Sequence, residues 1–335
     1  MDVGVPESRQ IVGHVEPVTQ GAFFWPNPTM RLPRLGHGCV IYLKRLSRYG
    51  NSLHSRLKMK ILNNHEIRIA AQLLVKHIPK SLKVYGFLFA LNRTEGSRPP
   101  TVISVDAWPE LNVIVSRTQT ENKRDPKERV LFFSKDEQIL STILKEHDVV
   151  DWTASLSFAG IDNSYSPLLK DISSQRGSSF RSLCHAHLLH LTDFDSLLPT
   201  EHSEDHFRIS SLNDSNVELV NKTWKFGWDE DGGRHIKKMI GNFPSCCIVD
   251  DHGQPVSWII LDDFCTMAML HTLPAHRGKG YAKALVSCLA RKLHAQGFPV
   301  YCFVEKENAV SYKLFTDLGF VEDPSYRAAW WDCNF

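Results

Sequence analysis

Two glycines and two cationic side chains stand together in the turn Arg277-Gly278-Lys279-Gly280. The turn follows a short apolar run and leads directly into an amphipathic segment. Glycine lets a backbone approach a ligand closely, and a helix N-terminus presents N–H groups at the positive end of the helix dipole. Such a turn favours an anion, and above all a phosphate group. The residues therefore predict a phosphate-bearing ligand at this point of the chain.

The segment after the turn is predicted to be a helix, because its apolar residues recur at steps of three and four. The apolar face consists of Ala282, Leu285, Val286, Leu289 and Leu293. The turn is not a Walker loop, since no Gly-Lys-Ser/Thr follows at the required spacing, and it lacks the third glycine of the dinucleotide fingerprint. A Gly-x-Gly turn is also typical of an ordinary loop, so the phosphate hypothesis depends on the surrounding elements.

Those elements alternate between strands and helices. The predicted strands are Cys246–Val249, Val256–Leu261, Thr266–Leu273, Val300–Val304 and Tyr326–Trp331. Asn308 is a suitable N-cap and Gly319 a suitable C-cap for a second helix between the last two strands. With a strand and a helix from Phe207, the order is strand, helix, three strands, helix, strand, helix, and then one or two strands. This order predicts an α/β protein with a mixed sheet and helices on its faces.

At this point the segment 206–335 resembles a GNAT acetyltransferase domain. The turn and helix start Arg277–Ala282 resemble the acyl-CoA signature of that superfamily, and Leu318-Gly319-Phe320 resembles the end of its second signature. The resemblance implies that the N–H groups of Gly278 to Ala282 hold the pyrophosphate of acyl-CoA, with added positive charge from Arg277 and Lys279. The full set of acyl-CoA contacts that we expect is Leu273, Arg277, Gly278, Lys279, Gly280, Tyr281, Ala282 and Asn308.

Further sequence segments are similar to one family, the glycine N-acyltransferases and glycine N-acyltransferase-like proteins. They are Ser81–Gly86, Val105–Glu110, Pro255–Trp258, Thr272–Arg277 and Gly297–Tyr301. The resemblance extends from about Met59 to the C-terminus. It implies an enzyme that transfers an acyl group from acyl-CoA, as co-substrate, to the amine of glycine or a similar amino acid. No permanently bound cofactor is expected.

The proton-handling part of the site departs from many relatives, which carry a glutamate fourteen residues before the glycine that matches Gly280. This chain has Thr266 there, and a threonine can hold a water but cannot act as a base at neutral pH. His271, Glu305 and Asp262 are the alternative bases, each also interpretable as a structural or solvated side chain. The phenol that often protonates the leaving thiolate has no clear match, because Phe315 lies near its place and Tyr312 lies one turn earlier.

Two interpretations besides glycine acylation stay open. The loss of the glutamate is compatible with a catalytically weak acyl-CoA-binding protein. An enzyme acting on a different amine is compatible with the same motifs, because acceptor choice depends on pocket shape. Neither a nucleic-acid partner nor a membrane span is expected, since the formal net charge is +2 and no apolar run approaches about 18 residues. The sequence does not determine the oligomeric state, and a monomer is compatible with it.

Three regions are expected along the 335 residues. Residues 59–205 are predicted to form a degenerate GNAT-like domain, and residues 206–335 the acyl-CoA-binding catalytic domain, so that two GNAT-like halves stand in tandem. In the first half we predict a helix over Glu66–His77, a strand over Leu82–Leu91, a helix over Lys135–Glu146 and a loop over Asp162–Ser179. The strands Thr101–Val105 and Val113–Arg117 lie between them.

Residues 1–58 are predicted to be a poorly ordered basic extension. Residues 17–65 contain no Asp or Glu but many Arg and Lys, which is the composition of a mitochondrial presequence, although Asp2 and Glu7 precede them. Mitochondrial location is therefore expected, with the cytoplasm as the alternative. The eight cysteines include no Cys-x-x-Cys pair and are expected as free thiols. Cys184, His185, His187 and His190 alternate as in a half-buried strand, so no metal site is expected there.

Overall fold

The structure, a computed structural model, describes residues 58–94, 100–119, 127–146, 149–199, 208–227 and 229–335. The basic extension predicted over residues 1–58 lies outside these residues except for its last position. Within the described part of the chain, no helix has both the length and the apolar character needed to cross a membrane.

The first half of the chain folds as a strand, two helices, three strands, a helix, a strand, a helix and a final strand. These elements are β1 (Lys60–Ile61), α1 (Asn64–Leu74), α2 (Leu82–Leu91), β2 (Thr101–Val105), β3 (Val113–Gln119), β4 (Glu128–Ser134), α3 (Glu137–Lys145), β5 (Leu156–Asp162), α4 (Ser166–Gln175) and β6 (Phe180–His190). Short 3₁₀ turns continue α1 and precede α4.

The second half repeats that order element by element. It consists of β7 (Ile209–Ser210), α5 (Val217–Thr223), α6 (Glu230–Asn242), β8 (Ser245–Val249), β9 (Pro255–Leu261), β10 (Met267–Thr272), α7 (Tyr281–Ala295), β11 (Tyr301–Glu305), α8 (Ala309–Asp317) and β12 (Val321–Cys333). The mixed α/β architecture and the tandem halves expected from the sequence are both present.

The two halves exchange their last strands. One sheet has the order β1-β2-β3-β4-β5-β12-β6-β11, and a second sheet has the order β10-β9-β8-β7. Strand β12 of the second half therefore lies between β5 and β6 of the first, while β6 pairs with β11 of the second. The eight-stranded sheet and the main apolar core each contain residues of both halves.

Polar contacts also join the halves. The Arg129 guanidinium forms an ion pair with Asp263 at 2.9 Å. The buried Lys83 ammonium from α2 lies 3.6 Å from the ring centroid of Phe264 and 5.0 Å from that of Phe303. Burial lowers the pKa of Lys83 to about 8, because an apolar environment disfavours the charged form.

Three predictions about elements were wrong. Leu82–Leu91, predicted as a strand, is helix α2, buried on almost all sides. A segment that is apolar all round has no periodicity that separates a buried helix from a buried strand, and its length of ten residues favoured the helix. The loop predicted over Asp162–Ser179 contains helix α4, which starts with a proline in its first turn and buries Leu169 and Ile172. The single helix expected after β7 is two helices, α5 and α6.

Candidate active site

The glycine-bearing turn adopts the backbone that its sequence requires. Gly278 has a φ of 76° and Gly280 a φ of 80°, both in the left-handed region that favours glycine. Gly280 is the N-cap of α7 and provides no side chain to cap it, while the first turn of a helix has N–H groups without intrahelical acceptors. A Cβ atom at either glycine would meet nothing within 4 Å. The turn is thus open in front of the helix N-terminus.

The cations of the turn differ in their contacts. Arg277 donates from Nε to the Thr272 carbonyl at 3.1 Å, which ties the turn to the end of β10. Lys279 is exposed. Lys283, one turn into α7, pairs with Asp317 of α8 at 3.3 Å. The result is a helix N-terminus with Arg277 and Lys279 beside it and no acidic residue in its first turn.

The other expected acyl-CoA contacts surround this turn. Leu273 directly follows β10, and its N–H donates to the Val256 carbonyl at 2.9 Å. The ring of Tyr281 stacks against His276 with centroids 6.3 Å apart. Ala282 is half-buried in the first turn of α7. Asn308 lies apart from them, at the start of α8, where its side chain accepts from the Ser311 N–H at 3.0 Å.

Strand β10 contains a bulge. Its pairing with β9 is regular up to Ala268 opposite Ile260 and resumes at His271 opposite Trp258, with a register shift between them. Met269, in this interval, has a φ of 54°, which is uncommon for a residue with a side chain. A bulge of this kind takes backbone groups out of the ladder, so that they become available to a ligand.

A cleft of about 300 Å³ opens where β10 and β11 diverge. The two strands belong to different sheets, and no ladder joins them in the described residues. The cleft is lined by Val220, Thr223, Trp224, Lys225, Phe226, Trp258, Met267, Ala268, Met269, Leu270, His271, Phe303, Val304, Glu305, Asn308, Ser311 and Phe315. All of these residues come from the second half of the chain, and most of them are apolar.

His271 lines this cleft. Its ring stacks on that of Trp258, with centroids 5.1 Å apart and an interplanar angle of 26°. Burial lowers the pKa of His271, and the positive charge of Arg277 lowers it further. The imidazole is therefore neutral at pH 7 and able to accept a proton.

Glu305, the second candidate base, also lines the cleft but is already paired. Its Oε2 accepts from the Lys225 ammonium at 2.6 Å. Sequence reasoning missed Lys225, which is 80 positions away along the chain. The Glu305 carboxylate therefore already has a cationic partner.

Thr266 and Asp262 lie together in the turn before β10, and neither is among the residues that line the cleft. The Thr266 N–H donates to Asp262 Oδ1 at 2.8 Å. Burial raises the pKa of Asp262 to about 6, and the same carboxylate oxygen also accepts from the Phe264 N–H at 2.9 Å. Both residues therefore act in closing the β9–β10 hairpin.

No tyrosine is among the residues that line the cleft in the described structure. Phe315 does line it, whereas the Tyr312 hydroxyl donates to Glu322 Oε2 at 2.6 Å. Glu322 also accepts from His187 Nδ1 at 2.9 Å. No group of three or more His, Cys, Asp or Glu side chains that could hold a metal ion occurs in the described residues. The seven cysteines that the structure describes are free thiols.

Comparison with known proteins decides the family. The model of the aralkyl acyl-CoA:amino acid N-acyltransferase family matches residues 59–244, and the model of the C-terminal region of that family matches residues 246–334. The chain belongs to this family. It is thus an acyltransferase that uses acyl-CoA as co-substrate and an amino acid as acceptor.

Individual relatives agree with this assignment. The chain is 32% identical to rat glycine N-acyltransferase over 286 residues, which cover 78% of this chain and 93% of the relative. It is 29% identical to human glycine N-acyltransferase over 78% of this chain and 93% of the relative. It is 30% identical to a human putative glycine N-acyltransferase-like protein 1B over 82% and 97% of the two chains.

Solved structures support the fold of this acyltransferase. A Drosophila protein superposes with a TM-score of 0.66 at 16% identity, covering 82% of this chain and 97% of its own. A GCN5-related N-acetyltransferase from Sphaerobacter thermophilus superposes with a TM-score of 0.51 at 11% identity, covering 82% and 94%. The expected GNAT fold is therefore confirmed.

Proposed function

We propose that this acyltransferase uses glycine as its acceptor, so that its products are an N-acylglycine and CoA. The proposal depends most on the cleft between β10 and β11. It opens between the strand that leads into the glycine-bearing turn and the strand that follows α7. A thioester placed there is next to a neutral imidazole and to the bulge of β10.

The turn would bind the pyrophosphate of acyl-CoA. The residues from Gly278 to Ala282 form the turn and the first residues of a helix N-terminus, where an anion is stabilised. Arg277 and Lys279 supply the positive charge that complements phosphate. Leu273 and Tyr281 would contact the CoA next to the turn, and Asn308 would contact it from the opposite wall of the cleft.

The bulge of β10 would stabilise the reacting carbonyl. When the amine attacks the thioester, negative charge develops on the carbonyl oxygen, and a backbone donor aimed at this oxygen lowers the barrier. The backbone N–H groups of Met269 and Leu270 lie in the interval that the ladder with β9 skips. They are the donors that we assign to this role.

His271 would be the base. The glycine ammonium must lose a proton before its nitrogen attacks, and a neutral imidazole in the cleft can accept it. The C–N bond then forms and the C–S bond breaks. Of the three ammonium protons, one stays on the amide nitrogen, one goes to the departing thiolate and one is released to solvent. Glu305 and Thr266 do not take the proton in this account, because Glu305 is paired with Lys225 and Thr266 has no basic group.

The first half would have a supporting role. We propose the division into residues 59–205 and 206–335, with the exchanged strand β6 as the contribution of the first half to the catalytic one. Strand β6 pairs with all five residues of β11. It thereby holds β11 in the first sheet and away from β10.

A mitochondrial location is part of the proposal and is supported by the basic, acid-poor residues 17–65. Fluorescent fusions of the full chain and of a chain that starts at Met59 would test it. The full chain is expected in mitochondria and the shortened one in the cytoplasm. Cytoplasmic fluorescence of both fusions would show that the location is wrong.

The acceptor is tested by thiol release. The full chain is mixed with an aralkyl acyl-CoA, and free CoA thiol is measured with and without glycine. We expect saturable, glycine-dependent release. Binding of acyl-CoA without release on addition of any amine would instead support the weak acyl-CoA-binding protein, which the replacement of glutamate by Thr266 favours. Release with other amines but not with glycine would show a different acceptor.

A further inference from the structure

One ion pair lies among the residues that line the cleft. Lys225 follows α5, Glu305 ends β11, and their side chains meet at 2.6 Å. They are 64% and 30% exposed, respectively. An ion pair this exposed contributes little to stability, because water and salt screen it. Its position in the cleft therefore calls for a reason other than stability.

These two residues are the only Asp, Glu, Lys or Arg among the described residues that line the cleft. Around them are aromatic and methionine side chains, including Trp224, Phe226 and Phe303. The hydrogen bond from Lys225 to Glu305 raises the pKa of Lys225, so the ammonium stays charged at neutral pH. The cleft thus offers one cation and one anion among apolar residues and the uncharged polar side chains of Thr223, His271, Asn308 and Ser311.

An amino acid at neutral pH also carries one cation and one anion, its ammonium and its carboxylate. A zwitterion that enters between Lys225 and Glu305 replaces one ion pair with two. No charge is left unpaired by this exchange, which is the condition for binding charged groups in a partly desolvated site. Neither a simple amine nor an anion satisfies both side chains.

We propose that Lys225 and Glu305 form the acceptor subsite of this enzyme. Lys225 binds the carboxylate of the amino acid, and Glu305 orients the ammonium until His271 takes its proton. The proposal rests on the proposed function, since it assigns the acceptor of the same reaction. The amino acid is recognised by two side chains of opposite charge, which match its carboxylate and its ammonium.

The test compares glycine with glycinamide, which has the amine but no carboxylate. Lys225→Met keeps the length of the side chain and removes its charge. We expect the KM for glycine to rise about tenfold, with little change in kcat, and the KM for glycinamide to stay the same. Lys222→Met is the matched control, because Lys222 is exposed on α5, pairs with Glu218 and does not line the cleft. Its kinetics should equal those of the wild type.

A second variant separates recognition from structure. The double exchange Lys225→Glu with Glu305→Lys restores an ion pair of the same two side-chain types with reversed direction. If the pair only stabilises the structure of the cleft, this variant recovers the KM for glycine. If the pair binds the zwitterion, the KM for glycine stays raised, because the carboxylate and the ammonium of the bound amino acid now meet like charges.

The outcomes are distinguishable. No CoA release by the wild type with glycine contradicts the proposed function and with it the subsite. Release with glycine together with an unchanged KM in Lys225→Met contradicts the subsite alone. Equal losses for glycine and glycinamide in Lys225→Met, or full recovery in the double exchange, would likewise show that the pair is only structural.

Discussion

The two halves of this acyltransferase share one order of elements but differ in the pairing of one equivalent pair of strands. In the first half, β4 and β5 form a parallel ladder in which Glu128, Arg129 and Val130 pair with Leu156, Ser157 and Phe158. In the second half, the equivalent strands β10 and β11 form no ladder in the described structure, and the cleft opens between them. The same architecture is therefore closed in one half and open in the other.

Two more differences occur next to these strands. Helix α3, the counterpart of α7, is capped by Asp136, whose carboxylate accepts from the N–H groups of Gln138 and Ile139 at 2.8 and 3.0 Å. An acidic cap occupies the place where α7 offers N–H groups to an anion. The β3–β4 pairing also runs without a register shift, whereas β10 has a bulge.

The comparison shows that the fold alone does not make an acyl-CoA site. In the second half, β10 and β11 separate, β10 has a bulge and the N-terminus of α7 has no side-chain cap. The first half has none of these three features at the equivalent strands and helix. Strand β11 is held in the first sheet by its ladder with β6. It is the last strand of that sheet, so its other edge has no strand partner among the described residues. The strand exchange thus places β11 in a different sheet from β10, and the cleft lies between them.

The largest effect is expected from making the open half resemble the closed one. Gly280→Asp places an acidic cap on α7, as Asp136 does on α3, and also strains a backbone with a φ of 80°. The carboxylate repels phosphate where a helix N-terminus had attracted it. We expect the affinity for acyl-CoA to fall about a thousandfold, measured by calorimetric titration.

Gly177→Asp is the control for backbone strain. Gly177 follows α4, has a φ of 68° and would meet nothing within 4 Å on gaining a Cβ atom. It should lower the free energy of unfolding about as much as Gly280→Asp does, without any change in the affinity for acyl-CoA. Similar losses of affinity in both variants would mean that the turn matters only for folding.

The next effect concerns the base. His271→Asn removes the proton acceptor while keeping a polar side chain of similar size. We expect kcat/KM to fall about a hundredfold. In the wild type, kcat/KM should rise with pH through a pKa below 6.5, because burial lowers the pKa of His271 and only the neutral ring accepts a proton. This limb should vanish in the variant, whereas the limb from the glycine amine at higher pH should remain. A limb below pH 6.5 that survives the substitution would exclude His271 as the base.

A smaller effect is expected where the halves meet. Lys83→Met removes a buried ammonium whose pKa burial lowers from 10.5 to about 8. Below pH 8 the lysine is charged in both the folded and the unfolded state, so its burial reduces stability. Allowing for the attraction of the surrounding rings, we expect the variant to gain about 2 kcal/mol in free energy of unfolding at pH 7.

The pH dependence gives the control for this variant. Between pH 8 and pH 10.5 the folded wild type loses the proton of Lys83 before the unfolded chain does, so its stability rises toward that of the variant. Urea unfolding should show a smaller difference in free energy of unfolding between the variant and the wild type at pH 10 than at pH 7. A constant difference at both pH values would mean that packing, rather than charge, accounts for it.

Local signals in the sequence were sufficient for the turn at Gly278 and Gly280 and for most strands. These elements depend on residue type and short-range periodicity. Helix α2 was predicted wrongly because it is apolar all round, and α4 because its polar residues outnumber the two apolar residues that it buries, Leu169 and Ile172. Both errors come from segments whose pattern does not select one structure.

The non-local parts of the site had no comparable signal. The exchange of β6 and β12 depends on pairing between residues more than 110 positions apart, such as Tyr301 with His190 and Ala328 with Ala186. The pair between Lys225 and Glu305 requires the fold before the two residues can meet. Choosing among His271, Glu305 and Asp262 likewise required the cleft, because all three are plausible bases from their residue types alone.

The smallest effect is expected in the closed half. Asp136→Ala removes the cap of α3, which should lower the free energy of unfolding by about 1 kcal/mol. The kinetics of acyl transfer should stay unchanged, since α3 binds no substrate in this account. Urea unfolding and the thiol-release assay measure the two quantities. A loss of activity beyond that caused by partial unfolding would show that the closed half takes part in the reaction.

Hydrogen exchange on the full chain with and without CoA tests the central claim most directly, when it is combined with the stoichiometry of binding. The account predicts one CoA per chain, with amide protection on binding confined to the turn from Gly278 to Ala282 and to the cleft walls on β10 and β11. It predicts no change at the start of α3, where Asp136 already caps the helix. Two CoA molecules per chain, or protection at the start of α3 in place of α7, would contradict it.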